Sequence, residues 1–241
     1  MKQRLDQILV ARNLVPTRSQ AESFIKLGEV TVDGQTVTKP GYMVGEQSNI
    51  KLNATEQYVS RAGLKLASVA EVLKLNFKDK TMLDVGSSTG GFTDYALQHG
   101  AKKVLAVEVG TNQLHPKLHG NPQIELHEKT DIRDFRTDQP IDIVVIDVSF
   151  ISLRDILPFI ARLSQPTTQI IAMVKPQFEA AHSNLKHKGV IKNDRMRRDI
   201  LKDFEQWASQ TFKIVDKADS HIAGAKGNLE RFYILKPLCN K

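Results

Sequence analysis

The chain has 241 residues, 41% apolar and 6% aromatic, with one cysteine and a formal net charge of +7; that length allows one large domain, or one domain plus a small module. A lone Cys239 excludes an internal disulfide framework, no run approaches the ~18 apolar residues of a membrane helix, and Met1-Lys2-Gln3-Arg4-Leu5-Asp6 lacks the apolar core of a signal peptide, so a cytoplasmic protein is expected. The positive charge points to polyanions such as nucleic acid more than to membranes, although a moderately basic soluble enzyme has the same balance.

Residues 1–57 read as a unit. Leu5, Ile8 and Leu9 share a helical face, which predicts a helix over Arg4 to Asn13. Pro16 ends the connection, Thr17 caps a second helix running to Leu27, and Gly28 stops it in the left-handed position. Val30-Thr31-Val32 and Gln35-Thr36-Val37 flank Asp33-Gly34, a strong two-residue hairpin signal. Two short helices and a small hairpin sheet are too little core for an enzyme. The segment resembles the small RNA-binding domain shared by a small-subunit ribosomal protein, several pseudouridine synthases and tyrosyl-tRNA synthetase. The words that match are Arg4-Leu5-Asp6, Arg18-Ser19-Gln20-Ala21, Ile25, Gly28-Glu29-Val30, Val32-Asp33-Gly34 and Lys39-Pro40. The resemblance implies RNA phosphate contacts at Arg4, Arg12, Arg18 and Lys26; the alternative is a set of solvated helix faces.

Residues 58–80 read as a linker followed by a helix over Arg61 to Leu75, the first helix of the larger domain that follows. From 81 to 241, apolar strands alternate with helical stretches, the pattern of a doubly wound, Rossmann-like α/β sheet. Strands are predicted at 81–85, 103–108, 123–127, 141–147, 168–174, 212–217 and 230–236. Lys186 to Lys202 carries seven Lys or Arg against two Asp, the one basic concentration of the chain.

The stretch Thr81 to Asp94 is a short strand, a glycine-rich turn and the start of a helix, and the next strand ends in Glu108. This is the first half of a nucleotide-cofactor site. Gly86 and Gly91 have P-loop spacing, but Phe92 and Thr93 follow where a lysine must carry charge to phosphates. The dinucleotide fingerprint fails at Ser88, where its second glycine lets a pyrophosphate approach. Asp84 suits a ligand with a cationic amino end, such as S-adenosylmethionine. The pattern Asp-x-Gly-x-x-x-Gly-Gly resembles motif I of the class I methyltransferases; a helix-capping turn in another doubly wound enzyme is the alternative. Asp147 and Lys175 end neighbouring predicted strands, where ligands bind in such sheets. Asp147 as a helix cap and Lys175 as a surface lysine is the bland reading.

Asp147-Val148-Ser149-Phe150 lacks the prolines that hold an exocyclic amine, and Cys239 lies far from where carbon-5 pyrimidine methylation needs a thiol. What remains is attack by an oxygen or another unactivated group, from which a desolvated lysine oriented by carboxylates could remove the proton. His115, His119 and His127 straddle a predicted loop and strand, which suits solvated or core histidines rather than metal ligands.

Lys65, Asp147, Lys175 and Glu230 match in order and context the Lys-Asp-Lys-Glu tetrad of FtsJ-like ribose 2′-O-methyltransferases. Tyr58 to Leu66, Val174 to Glu179 and Lys226 to Glu230 resemble the TlyA-type branch, often labelled haemolysin, which joins the small RNA-binding domain to the methyltransferase. The resemblance covers nearly the whole chain. It implies 2′-O-methylation of cytidine in ribosomal RNA or ribosomal subunits, with no metal and no membrane. Lys175 would activate the hydroxyl, Asp147 and Glu230 would hold the two lysines, and Lys65 would sit beside the acceptor ribose, with Arg61 facing RNA. Asp84, Gly86, Ser87, Gly90, Gly91 and Phe92 would cradle the methionine part of the cofactor, Glu108 would take the ribose, and Asp131 with Ile132 would face the adenine. The rivals are an RNA-binding protein without catalysis, a pore-forming haemolysin and a methyltransferase of small molecules.

Overall fold

The computed structural model describes residues 2–15, 17–53, 58–182, 189–224 and 226–238. Pro16, Cys239, the 54–57 stretch before the linker, and Lys186 and Lys188 of the basic concentration lie outside the described residues.

In the N-terminal part, α1 (Leu5–Ala11) buries Leu5, Ile8 and Leu9, as their spacing predicts. It is shorter than the predicted span at both ends. Arg4 belongs to β1 (Lys2–Arg4), which pairs antiparallel with β4 (Met43–Gly45), and Asn13 turns into the left-handed region at φ 55°. Helix α2 (Arg18–Lys26) is capped by Thr17, whose hydroxyl accepts the Gln20 N–H at 3.2 Å. Asp33 and Gly34, at φ 51° and 83°, make the tight turn between β2 (Val30–Val32) and β3 (Gln35–Thr36). The second hairpin strand stops one residue before the predicted Val37. A strand the sequence reading did not anticipate, β5 (Ile50–Leu52), pairs with the other edge of β2.

Helix α3 (Arg61–Ala70), capped by Ser60, ends five residues before the predicted Leu75, and the chain turns at Lys74 with φ 50°. All seven predicted strands of the α/β part form: β6 (Thr81–Val85), β7 (Lys103–Val107), β8 (Ile124–His127), β9 (Ile143–Ile146), β10 (Gln169–Val174), β11 (Phe212–Asp219) and β12 (Arg231–Pro237). They make one sheet in the order β11-β12-β10-β9-β6-β7-β8, parallel from β8 to β10, with β12 antiparallel to both neighbours. Strand order reverses at β6, so the crevice beyond its carboxyl end is where a ligand binds in such a sheet.

Both faces of the sheet are covered, and residues alternate between two cores. On β9, Ile143 and Val145 join one core while Val144 and Ile146 join the other; on β10, Ile171 and Met173 oppose Ile170, Ala172 and Val174. The first core runs without a break from the sheet through α3 into α1 and α2 of the N-terminal part. Gln20 strengthens that junction by donating from Nε2 to the Tyr58 carbonyl at 2.8 Å.

Candidate active site

Strand alternation explains why the predicted site residues converge. Asp84 lies on β6 two residues after Met82, on the face covered by α3 and the N-terminal part. Asp147 follows Ile146 and Lys175 follows Val174, each one step past a residue of the opposite core, so both turn to the same face as Asp84. Val174 pairs with Arg231 across β10 and β12, so Lys175 and Glu230 emerge side by side. Lys65 comes from α3, between Leu64 and Leu66 of the covering core.

The glycine-rich turn makes a cradle. Gly86 has φ 78°, and a Cβ there would meet the Asp147 carbonyl oxygen at 2.8 Å, so the turn packs against the end of β9 only as glycine. Gly91 opens α4 (Gly91–Gln98) directly beneath α3, where a side chain would strike Ala62 and Ser60. Gly90 is the left-handed cap of that helix, with φ 84°. Gly90 and Gly91 therefore shape the cradle from behind, while Asp84, Gly86, Ser87 and Phe92 line it, in a cavity of about 160 Å³ shared with Asp147 and Lys175.

Asp84 is almost fully buried. One oxygen accepts the Thr93 hydroxyl at 2.6 Å; the other has no hydrogen-bond partner, and neither has the Ser87 hydroxyl. Burial, with the nearby Asp147 charge adding to it, pushes the Asp84 carboxyl up to about 7 against the Thr93 hydrogen bond. An orphaned acceptor, a free hydroxyl and a turn that excludes side chains fit the ammonium and carboxylate of an amino-acid-like ligand end.

Beyond the cradle lies a cavity of about 430 Å³, lined by Glu108, Asp131, Ile132 and Val148 among others. Glu108 accepts the Ser88 N–H at 2.9 Å and the Gly110 N–H at 2.8 Å, one on each oxygen. It thus clamps the glycine-rich turn to the loop after β7, and only its second lone pairs face a ligand. Asp131 is occupied in the same way. Hydrogen bonds from Arg133, at 2.9 and 2.6 Å from its side chain, hold the carboxyl below its ordinary range.

On the other side of the cradle is a cavity of about 680 Å³, lined by Arg61, Lys65, Phe150, Lys175, Phe178 and Glu230 among others. Two ion pairs border it: the half-buried pair of Lys175 Nζ with Asp147 Oδ1, 2.6 Å apart, and the buried pair of Lys65 Nζ with Glu230 Oε2, 2.5 Å apart. Neither carboxylate oxygen has a partner in hydrogen-bond alignment, so both contacts are ionic by distance. Lys175 also donates to Ser149 Oγ at 2.8 Å. Ser149 lines all three cavities and Lys175 lines two, so the lysine stands where the cradle opens into the larger space.

Three residues at this mouth were not singled out in the sequence. Ser149 is one. Phe150 is 89% exposed, sits at φ 67°, and packs its ring 5.3 Å from that of Phe178. A left-handed phenylalanine is costly, which marks the turn as held in place by its surroundings. Glu179 is the third: buried, it accepts the Ser152 hydroxyl at 2.6 Å and the Leu153 N–H at 2.8 Å, tying the loop after Phe150 to the segment that carries Phe178. In the sequence Ser149 and Phe150 follow the strand-end Asp147 closely, and Glu179 ends the Val174 to Glu179 stretch, but nothing local there marks their contacts.

The residues proposed to face RNA fall into two groups. Arg4 and Arg18 converge on the buried Asp6, at 2.8 and 2.9 Å. Burial opposes its ionisation, yet the two arginines hold the Asp6 carboxyl below its ordinary range. Arg12 donates to the Ser48 and Glu46 carbonyls at 2.9 and 2.8 Å, and Lys26 is exposed. Arg61 stands apart from these at the large cavity. Among the described residues, no helix is long and apolar enough to cross a membrane, and no group of three or more His, Cys, Asp or Glu gathers as metal ligands would.

The FtsJ-like methyltransferase family matches residues 58–237, and the S4 domain matches residues 3–50. The 23S rRNA (cytidine-2′-O)-methyltransferase TlyA of Campylobacter jejuni is 42% identical over 182 residues, 74% of this chain and 71% of that protein. The 16S/23S rRNA (cytidine-2′-O)-methyltransferase TlyA of Mycobacterium tuberculosis is 32% identical over 239 residues, 97% of this chain and 89% of that one. Among solved structures, a candidate hemolysin from Streptococcus thermophilus matches with a TM-score of 0.72 and 35% identity, over 99% of this chain and 90% of that one.

Proposed function

The chain belongs to the FtsJ-like methyltransferase family, in its TlyA-type branch with an S4 domain, and we propose that it methylates the 2′-hydroxyl of a cytidine in ribosomal RNA. Its methyl donor is S-adenosylmethionine, which when bound supplies a methyl group on a positively charged sulfur. The observation that carries the reading is the position of Lys175, between the cradle and the aromatic-rimmed cavity and paired with Asp147.

Asp84 and Ser87 take the amino-acid end of the donor with their free acceptor and hydroxyl. Gly86 and Phe92 shape the same cradle, with Gly90 and Gly91 behind it. Glu108 reaches the ribose through its second lone pairs, while Asp131 and Ile132 border the adenine space. Lys175 removes the proton from the acceptor hydroxyl as that oxygen attacks, and Asp147 holds the lysine in reach. Lys65, fixed by Glu230, sits beside the acceptor ribose and carries the charge that orders it. Acid–base help of this kind is worth typically 10²–10⁴-fold, so alignment of acceptor and methyl supplies much of the remaining acceleration. Phe150 and Phe178 offer exposed rings on which an unstacked base can lie.

Residues 1–57 act as the RNA-binding domain, 58–80 as linker and first helix, and 81–241 as the catalytic domain, in the cytoplasm. Arg4, Arg12, Arg18, Lys26 and Arg61 contact RNA phosphates with the donors that internal hydrogen bonds leave free. The deciding experiment is transfer of labelled methyl from S-adenosylmethionine to ribosomal subunits and rRNA lacking the modification, followed by nucleoside analysis. A 2′-O-methylcytidine that disappears in Lys175→Ala is the expected result; transfer retained by that variant would remove the lysine from its role.

A further inference from the structure

We infer that Ser149 is a positioning residue for methyl transfer, fixing the direction in which Lys175 presents its free valence. The inference rests on Lys175 being the base that takes the acceptor proton. An amine that accepts a proton must aim one tetrahedral position of its nitrogen at the acceptor hydroxyl. A lysine at the end of four rotatable bonds does not do so unless its other positions are claimed.

Here two of them are. Lys175 Nζ lies 2.6 Å from Asp147 Oδ1 and donates to Ser149 Oγ at 2.8 Å. These two acceptors belong to one short loop after β9, so they move together and set the nitrogen as a pair. What remains of the tetrahedron is turned toward the space Lys175 lines: the cradle on one side and the large cavity on the other. A single partner leaves the nitrogen free to rotate about that contact; a second removes the freedom. In the transfer step Lys175 acts as the neutral amine: its two N–H bonds point at Asp147 and Ser149, its lone pair takes the proton from the 2′-oxygen, the oxygen–carbon bond forms, and the carbon–sulfur bond breaks with its electron pair left on sulfur. Ser149 neither gains nor loses an atom; it accepts a hydrogen bond before and after.

The loop geometry supports a dedicated role. Ser149 precedes Phe150, whose left-handed φ of 67° turns the aromatic ring outward while the serine hydroxyl stays at the lysine. Ser149 is itself exposed to the cavities, so its side chain fills no core.

The test compares Ser149→Ala, Ser149→Thr and Lys175→Ala in single-turnover methyl transfer at saturating S-adenosylmethionine, with dissociation constants for donor and RNA measured alongside. Loss of a hydrogen bond to a nitrogen that becomes charged as it takes the proton predicts a rate about 10- to 100-fold lower in Ser149→Ala. Both dissociation constants and the melting temperature should stay at wild-type values, and Ser149→Thr, which keeps the hydroxyl, should recover most of the rate. A wild-type rate in Ser149→Ala while Lys175→Ala is dead would overturn this inference alone; an active Lys175→Ala would overturn the base assignment beneath it. A loss accounted for by weaker donor binding would make Ser149 a cofactor contact and also refute the inference. A second readout needs no substrate: NMR relaxation of the Lys175 side-chain nitrogen, assigned by its absence in Lys175→Ala, should show greater mobility in Ser149→Ala. Unchanged mobility there would count against it too.

Discussion

Asp84 gives one carboxylate oxygen to the Thr93 hydroxyl at 2.6 Å and leaves the other without a partner, in a site almost closed to solvent. Such an arrangement costs stability in the free protein in order to meet a cation.

The cost has a sign and a pH window. Burial raises the Asp84 carboxyl from 3.8 to about 7, so the folded state binds this proton more tightly than the unfolded state does. The associated stability is fully present below pH 3.8 and is lost as pH rises toward 7, a loss on the order of 4 kcal/mol at 1.36 kcal/mol per unit. Asp84→Asn has no such loss. Ligand-free Asp84→Asn should gain on the wild type in urea midpoint between pH 5 and pH 8, while its S-adenosylmethionine affinity falls and no longer rises with pH through 7. Parallel midpoints for both proteins across that range would exclude the burial argument.

The buried pair Lys65–Glu230 predicts a contrast between stability and activity. Glu230→Ala strands an ammonium with little solvent and should destabilise the protein by about 3–5 kcal/mol. Lys65→Met combined with Glu230→Leu removes both charges and should recover most of that stability, since a buried ion pair is often matched by apolar residues of similar size. Methyl transfer should be absent in both variants. Recovery of transfer in the uncharged double variant would mean that the pair serves folding alone.

Phe150 offers the opposite contrast. Its ring is solvent-exposed and its backbone is left-handed, so Phe150→Gly relieves strain of about 1–3 kcal/mol and should raise the melting temperature. The same change removes a stacking surface worth about 1–3 kcal/mol per base, so RNA transfer at low substrate concentration should fall about 10- to 100-fold. Steady-state kinetics with subunit substrate would decide it, and unimpaired transfer would leave the exposed ring without a role at the acceptor.

Wherever the chain's instructions are local, they were legible. The Asp33-Gly34 turn needed two residues with positive φ and has them, and Thr17 caps α2 through its own side chain. Apolar runs located every strand of the large sheet. Three-residue strands such as β1 and β4 carry no periodicity to read, and their pairing moved Arg4 out of the predicted helix. The helix expected to run to Leu75 ended at Ala70 although its apolar spacing continued, because apolar residues there serve the core from a turn as well as from a helix.

Sequence alone thus determined the strands of the large sheet, the first hairpin, the glycine-rich turn and the candidate tetrad with the family it resembles, since propensity and short motifs act over neighbours in the chain. Only the tertiary structure decided which charge meets which: Lys65 with Glu230, Lys175 with Asp147 and Ser149, and Arg4 with Arg18 on Asp6. It also decided that Glu108 and Asp131 already hold backbone or arginine partners on both oxygens. The reason is geometric. Side-chain partners depend on strand order, on register and on the face each residue takes at the end of its strand, and these are set by how distant segments pack together.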